Sequence, residues 1–122
     1  PADYPAGFIY DPADPTPTIG GRLLGPGGGY VDDRALAARD DVLAFTGEPL
    51  RAPLEVLGTP IAELAHSSDN ANVDLFVRLS EVEPDGRSRN VSEGFRRLDP
   101  AAAHGPVRLD LRLPRSYGGY CP

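Results

Sequence analysis

The chain has 122 residues and a formal net charge of −6, and all twelve Lys and Arg positions are arginine because the sequence contains no lysine. One hydrophobic core suits this length, so we expect a single domain. Scattered arginines on an acidic chain do not form the cationic face that binds a phosphate backbone, so we exclude nucleic acid as a partner. No apolar stretch approaches the roughly 20 residues that span a bilayer, so we exclude a membrane partner and expect a soluble, cytoplasmic protein.

Cysteine and histidine are too few for a disulfide or a structural zinc site. Cys121 is the only cysteine, and His66 and His104 are the only histidines. A structural zinc ion takes about four such ligands, and the chain offers three. We therefore expect no cofactor.

The first third of the chain is rich in proline and glycine. Fourteen residues of each type exceed the usual shares of about 5% and 7%, and many fall in YDPADPTPTIGGRLLGPGGGY (10–30). Proline fixes φ and lacks an N–H, so this segment cannot sustain a helix; it predicts an ordered extended loop or a mobile linker. DDRALAARDD (32–41) predicts one short helix or a turn, because two aspartates precede good helix formers.

From Val42 onward the pattern changes to short apolar or alternating runs bounded by turn residues, which predict strands. The predicted strands are VLAFT (42–46), LEVLG (54–58), PIAELAHSS (60–68), VDLFVRLSEV (73–82), SRNVSEGFRRL (88–98) and PVRLDLRLP (106–114). EPDG (83–86) has the composition of a tight turn and predicts a hairpin. Several short strands with almost no helix predict an all-β fold, an antiparallel β-sandwich that follows a long Pro/Gly-rich N-terminal segment.

The strand at 73–82 has a clear period of two. One face carries Val73, Leu75, Val77 and Leu79, and the other carries Asp74, Phe76, Arg78 and Ser80. Phe76 is thus an apolar residue on the polar face. We expect it to pack under a neighbouring element or to meet a partner domain.

The sequence contains no recognisable catalytic site. No serine has the flanking glycines of a GxSxG nucleophile elbow. His66 adjoins Ser67 and precedes Asp69, but neighbours in a strand point to opposite faces, so a direct nucleophile–base contact is not expected. His104 is expected to be an exposed loop residue. We predict no catalytic residue in this chain.

The turn after the 60–68 strand contains a cluster of oxygen ligands, Asp69, Asn70, Asn72 and Asp74. Calcium takes six to eight oxygen ligands, so these residues are candidates for a metal site. Their spacing is not that of an EF-hand loop, because Ser80 stands where the twelfth-position glutamate would be. Asx turns explain the same letters, and both interpretations remain open at this point.

Three segments in order, YDPADPTPTIGG (10–21), DVLAFTGEPL (41–50) and VDLFVRLSEVEPDGRSRNVSEGFRRL (73–98), resemble one family. They are similar to the C-terminal, non-catalytic domain of X-prolyl dipeptidyl-peptidase and cocaine-esterase-like serine hydrolases, the CocE/NonD group, over roughly residues 8–113. The resemblance implies a jelly-roll-like, galactose-binding-like sandwich. We therefore expect residues 1–122 to form one accessory domain, with 1–41 leading in (anchored by Tyr10 and Ile19), 42–113 forming strands and 114–122 a tail.

The same resemblance implies a function. In that family the catalytic residues lie in a preceding α/β-hydrolase domain, so this chain would pack on that domain and buttress it. The expected interdomain contacts are Tyr10, Asp11, Asp14, Phe76, Arg78 and Phe95. The alternative is a free-standing ligand-binding sandwich, for carbohydrate or calcium, or an oligomerisation module.

The chain departs from the family pattern at its end. After VRLDLRL (107–113), relatives continue with several more strands, whereas this sequence reads PRSYGGYCP. A truncated chain, a changed reading frame or an unusually short member would each explain this. We expect the resulting open sheet edges to be covered by a captured strand, by dimerisation or by a neighbouring domain.

Overall fold

The computed structural model describes residues 6–102 and 104–112. This part of the chain contains one short helix, α1 (Arg34–Ala37), a 3₁₀ turn (Pro100–Ala102) and four strands, β1 (Ile61–Ser67), β2 (Asp74–Val82), β3 (Ser88–Arg97) and β4 (His104–Asp110). Strand β1 pairs antiparallel with β4, and β2 pairs antiparallel with β3. The predicted all-β antiparallel sandwich is confirmed. The predicted tail (114–122) and Cys121 lie outside the described residues.

The β2–β3 hairpin forms where the EPDG letters predict it. The Gly86 N–H donates to the Glu83 carbonyl at 2.9 Å, and the Glu83 N–H donates to the Arg87 carbonyl at 2.8 Å. Gly86 has a φ of +83°, a value at which a Cβ is unfavourable and which explains glycine at this turn. Farther along the ladder the register shifts between Leu79 and Ser80. This β-bulge leaves one extra residue in β3.

The core lies between the two strand pairs. Its buried residues are Leu98, Val107, Leu109 and Leu111, and the half-buried residues packed against them are Ala62, Leu64, Val73, Leu75 and Val77. In the β1–β4 ladder, residues that pair directly share a face, and the ladder pairs Ala62 with Leu109 and Leu64 with Val107. The predicted apolar face of β2 and the alternate residues Val107 and Leu109 of β4 therefore form this core, although Leu79 remains 42% exposed.

The two residues that follow β4 join the two strand pairs. The Leu111 N–H donates to the Pro60 carbonyl at 2.8 Å beside β1, and Arg112 bridges to Glu93 of β3. Gly94 makes this approach possible, because a Cβ there would lie 2.8 Å from the Asp110 carbonyl oxygen. The two sheets are thus connected through Leu111 and Arg112, the residues directly after β4.

Two predicted strands are absent. VLAFT (42–46) and LEVLG (54–58) form no ladder with any other described residue, and residues 43–59 are all exposed. The prediction failed because strand propensity reflects packing against neighbours rather than an intrinsic backbone preference. No strand that pairs with these residues lies within the described part of the chain. The short helix predicted at 32–41 is confirmed, with four helical residues.

Replacement of Leu109 by alanine should test this core. Leu109 is 3% exposed, so L109A should lower the free energy of unfolding by about 2–5 kcal/mol through lost burial and the cavity left behind. Leu24 is 92% exposed, and L24A should change it by less than about 0.5 kcal/mol. Guanidinium denaturation measures both variants, and equal effects would contradict the assigned core.

Candidate interdomain surface

The face of the β2–β3 hairpin that points away from the core combines charged and aromatic side chains. The ladder pairs Arg78 with Glu93 and Phe76 with Phe95. Directly paired residues share a face, so all four side chains lie on one side of the hairpin. This face carries three of the six residues predicted to contact another domain.

Arg78 lies at the centre of a buried ionic network. Its Nη2 donates to Glu93 Oε2 at 3.0 Å, and its Nη1 lies 3.5 Å from Asp33 Oδ2. Only 11%, 11% and 4% of the Arg78, Glu93 and Asp33 side chains are exposed. Nη1 also donates to the Ile19 carbonyl at 2.6 Å, and Ser80 Oγ donates to Asp33 Oδ2 at 2.8 Å. Arg78 is therefore bound within this domain.

The network attaches residues 19–33, which we call the strap, to the hairpin. Asn90, 2% exposed, accepts a hydrogen bond from the Val31 N–H at 3.0 Å through Oδ1 and donates to the Gly29 carbonyl at 2.8 Å through Nδ2. The Asp33 N–H donates to the Ser88 carbonyl at 2.7 Å. The expected anchoring by Ile19 occurs through its carbonyl, and the glycine-rich segment is an ordered loop.

Two glycines allow the strap to lie close to strand β3 of the hairpin. Gly20 and Gly21 have φ of +70° and +67°, in the left-handed region that favours glycine. A Cβ on Gly20 would lie 2.7 Å from Asn90 Oδ1, and a Cβ on Gly21 would overlap the Glu93 carboxylate. The Arg22 N–H then donates to Glu93 Oε1 at 3.1 Å. Glycine is required here by backbone conformation and by contact.

A second polar cluster connects the DPADPT turn to the end of the helical segment. Arg39 Nε bonds Asp41 Oδ1 at 2.6 Å, and Arg39 Nη2 lies 3.2 Å from Asp14 Oδ2. Thr16 Oγ1 donates to Asp41 Oδ2 at 2.8 Å. The hydrogen bonds from Arg39 and then Thr16 lower the pKa of Asp41 to about 2. Asp14 is therefore paired within the chain.

The remaining contact candidates are accessible. Asp11 caps its own turn by accepting the Ala13 N–H at 2.8 Å, and Tyr10 is 54% exposed. Phe76 and Phe95 are 55% and 63% exposed, and the Arg78 guanidinium lies 5.3 Å from the Phe76 ring centroid. The two phenylalanines form an exposed aromatic pair. Whether they contact another domain remains a prediction.

The predicted metal ligands form a hydrogen-bonded turn. The Asn72 N–H donates to Asn70 Oδ1 at 2.8 Å. Asp74 makes two bonds of 2.7 Å to Arg97, and the bonds from Arg97 lower the pKa of Asp74. Within residues 6–102 and 104–112, no group of three or more His, Cys, Asp and Glu side chains is placed to hold a metal ion. The Asx-turn interpretation accounts for this geometry.

The histidines lie in the β1–β4 ladder. His66 is half-buried in β1, and Ser67 pairs with His104. His66 Nδ1 is buried and has no hydrogen-bond partner among the described residues. Among the residues that the structure describes, His66 thus has no carboxylate bonded to Nδ1 of the kind that orients a catalytic histidine.

The residues that hold the strap were not identified from the sequence. Asp33, Asn90 and Glu93 are polar residues that the fold buries. The one available signal was the opposite charge of Glu93 and Arg78 on strands joined by a tight turn. Counting back from that turn without the bulge places Ser92 opposite Arg78, so the ion pair could not be assigned.

The fold and this surface define a small all-β domain whose buried charges hold its own chain together. The chain belongs to the X-Pro dipeptidyl-peptidase C-terminal non-catalytic domain family, whose model matches residues 5–116, and the predicted resemblance is confirmed. Cocaine esterase of Rhodococcus sp. (strain MB1 Bresler) is 43% identical over 93 residues, 75% of this chain and 16% of that protein. Proteins of Mycobacterium bovis and Mycobacterium tuberculosis, provisionally named serine esterases, are 35% identical over 89 residues, 72% of this chain and 13% of theirs.

The chain spans about one sixth or less of the length of these relatives. No solved structure matches it. None of the helices described here has the length and apolar character to traverse a bilayer.

Replacement of Gly21 by alanine should detach the strap. Gly27 provides a matched control, because it also has a positive φ, +88°, but a Cβ there meets nothing within 4 Å. In both variants the left-handed backbone conformation of an L-residue lowers stability by about 1–2 kcal/mol. Only G21A must also displace the Glu93 side chain. We expect G21A to show faster amide exchange at Val31 and Asp33 than G27A; identical exchange would contradict the contact.

The Asp41 cluster should make stability depend on pH in acid. A carboxyl whose folded pKa lies at about 2, below its ordinary 3.8, contributes stability that is complete above pH 3.8 and is lost as pH falls toward 2. D41N should therefore be less stable than the wild type at pH 5, and the difference should shrink between pH 4 and 2. Denaturant titrations across this range measure it, and a constant difference would contradict the assignment.

Proposed function

We propose that this chain is the accessory, non-catalytic domain of an α/β-hydrolase-family serine hydrolase, of the X-Pro dipeptidyl-peptidase or acyl esterase type. It packs on the catalytic domain and buttresses it. The family match and the esterase names of the relatives support this class. The catalytic domain would supply the serine nucleophile and its base, and this chain would supply rigid support.

The amount of apolar surface that the described residues leave exposed is the observation that carries the proposal. Seventeen large apolar side chains in this part of the chain are exposed, whereas its core buries four apolar residues. In a self-contained globular protein, leucine, isoleucine, valine and phenylalanine are among the residues most often buried. Such a chain has surface that another part of a protein is expected to cover.

Much of that surface is apolar and belongs to one segment. Residues 43–59 have no strand partner among the described residues, and their exposed side chains include Phe45 (80%), Leu50 (71%) and Leu57 (88%). Contiguous exposed apolar side chains mark an interaction surface. We assign residues 43–59 to the contact with the catalytic domain.

The first experiment identifies the natural protein. An antibody against this chain is applied to a native extract labelled with a fluorophosphonate probe, which reacts with serine hydrolases. A labelled species much larger than 13.0 kDa supports the proposal. An unlabelled species of about this size overturns it, and a free-standing binding or oligomerisation module then takes its place.

The second experiment tests the support role in the full-length protein. F45D and L57D should each shorten the half-life of hydrolase activity at elevated temperature, because a charge in a packed apolar contact is costly. L24D is the matched control, since Leu24 is at least as exposed, at 92%, but lies in the strap. Equal half-lives for all three variants would contradict the assigned contact.

A further inference from the structure

An open groove of about 520 Å³ lies beside the aromatic pair. Its charged and aromatic lining residues are Arg22, Phe76, Glu93, Phe95, Arg96, Arg108, Asp110 and Arg112. The strap contributes Arg22, and the β2–β3 hairpin contributes the two phenylalanines, Glu93 and Arg96. Arg108 and Asp110 lie in β4, and Arg112 lies just after its end. Three parts of the chain therefore meet around one concave surface.

Three of the four arginines of this groove differ from most other arginines of the chain, because they form no ion pair with a described residue. Eleven arginines fall within the described residues, and seven of them form ion pairs there: Arg34, Arg39, Arg78, Arg87, Arg89, Arg97 and Arg108. Four do not, and three of these four, Arg22, Arg96 and Arg112, line the same groove. On a chain of net charge −6, this is a local concentration of uncompensated positive charge.

The carboxylates nearby do not cancel this charge. Glu93 is bonded to Arg78 at 3.0 Å, and Arg108 bonds Glu63 at 3.2 Å. Arg96 donates through Nη1 to the Arg108 carbonyl at 2.8 Å, which fixes its position without neutralising it. Asp110 is then the one groove carboxylate without an ion pair among the described residues, against three such arginines.

We propose that this groove docks an acidic segment of the same parent polypeptide, from outside this domain, with its carboxylates on Arg22, Arg96 and Arg112 and an apolar side chain on Phe76 and Phe95. The inference rests on the proposed function and identifies the chemistry of one contact. Guanidinium groups bind carboxylates with two parallel hydrogen bonds. An aromatic centre with charged groups around it is the usual composition of an interface.

The length of the relatives favours an occupant that belongs to the same polypeptide. This chain corresponds to 16% of the cocaine esterase that it resembles, so a parent of that size offers a large, tethered surface. Tethering raises the effective concentration of a cis segment to about the millimolar range. A groove with few contacts can therefore be occupied in cis where it would bind a free peptide weakly.

The lack of lysine makes the test direct. In the full-length protein, R22K, R96K and R112K each introduce the only lysine of this domain while keeping the positive charge. A carbodiimide joins an amine to a carboxylate in contact with it, and mass spectrometry of the peptides identifies the carboxylate. We expect R96K and at least one of the other two variants to couple to Asp or Glu outside this domain, within the same molecule.

R34K is the matched control, because Arg34 bonds Asp32 at 3.0 Å outside the groove. It should couple within the domain, to Asp32, which verifies the chemistry. Groove amines that couple only to Asp110 or Glu93 would overturn the proposal, as would coupling between isotopically distinct copies, which would identify a second copy as the occupant.

Hydrogen exchange of the backbone amides of residues 43–59, measured in the full-length protein, distinguishes failure of the groove proposal from failure of the proposed function. Protected amides without a cross-link outside the domain would overturn the groove alone. Unprotected amides without such a cross-link would overturn both the groove and the interdomain packing.

Discussion

The rest of this structure depends on the buried guanidinium of Arg78. It lies between the carboxylates of Glu93 and Asp33 and bonds the Ile19 carbonyl, so one cation connects β2, β3 and the strap. Removal of one partner from such a buried network costs about 3–5 kcal/mol, because the remaining charge loses its compensation. The strap contributes few buried apolar side chains, and this ionic contact, together with Asn90, holds it in place.

The same network determines what the outer surface offers. Because Glu93 is bonded to Arg78, it does not neutralise the arginines around the groove. Because the strap is fixed, Arg22 lies beside the hairpin instead of moving freely in solvent. The positive groove next to Phe76 and Phe95 is therefore a consequence of how the N-terminal segment is bound, and the proposed docking of an acidic segment follows from it.

Residues 43–59, unlike the bound strap, are exposed along their whole length. Their letters have strand propensity and apolar side chains, yet the described residues provide no neighbouring strand and no cover for them. A strand outside a ladder leaves its backbone groups to water and its side chains unburied. The described part of the chain has a small core of four buried apolar residues for this reason, and the proposed packing against a catalytic domain would account for both features.

The sequence by itself determined the features that depend on local chemistry. The EPDG turn, the alternation of β2 and β4, the short helix and the family resemblance all follow from neighbouring residues, and each is found. Only the tertiary structure decided which polar residues are buried, because the bulge after Leu79 moves Glu93 opposite Arg78 and the strap returns Asp33 from 45 positions away. It also decided that 42–46 and 54–58 are not strands here, since a strand requires a partner that local sequence cannot supply.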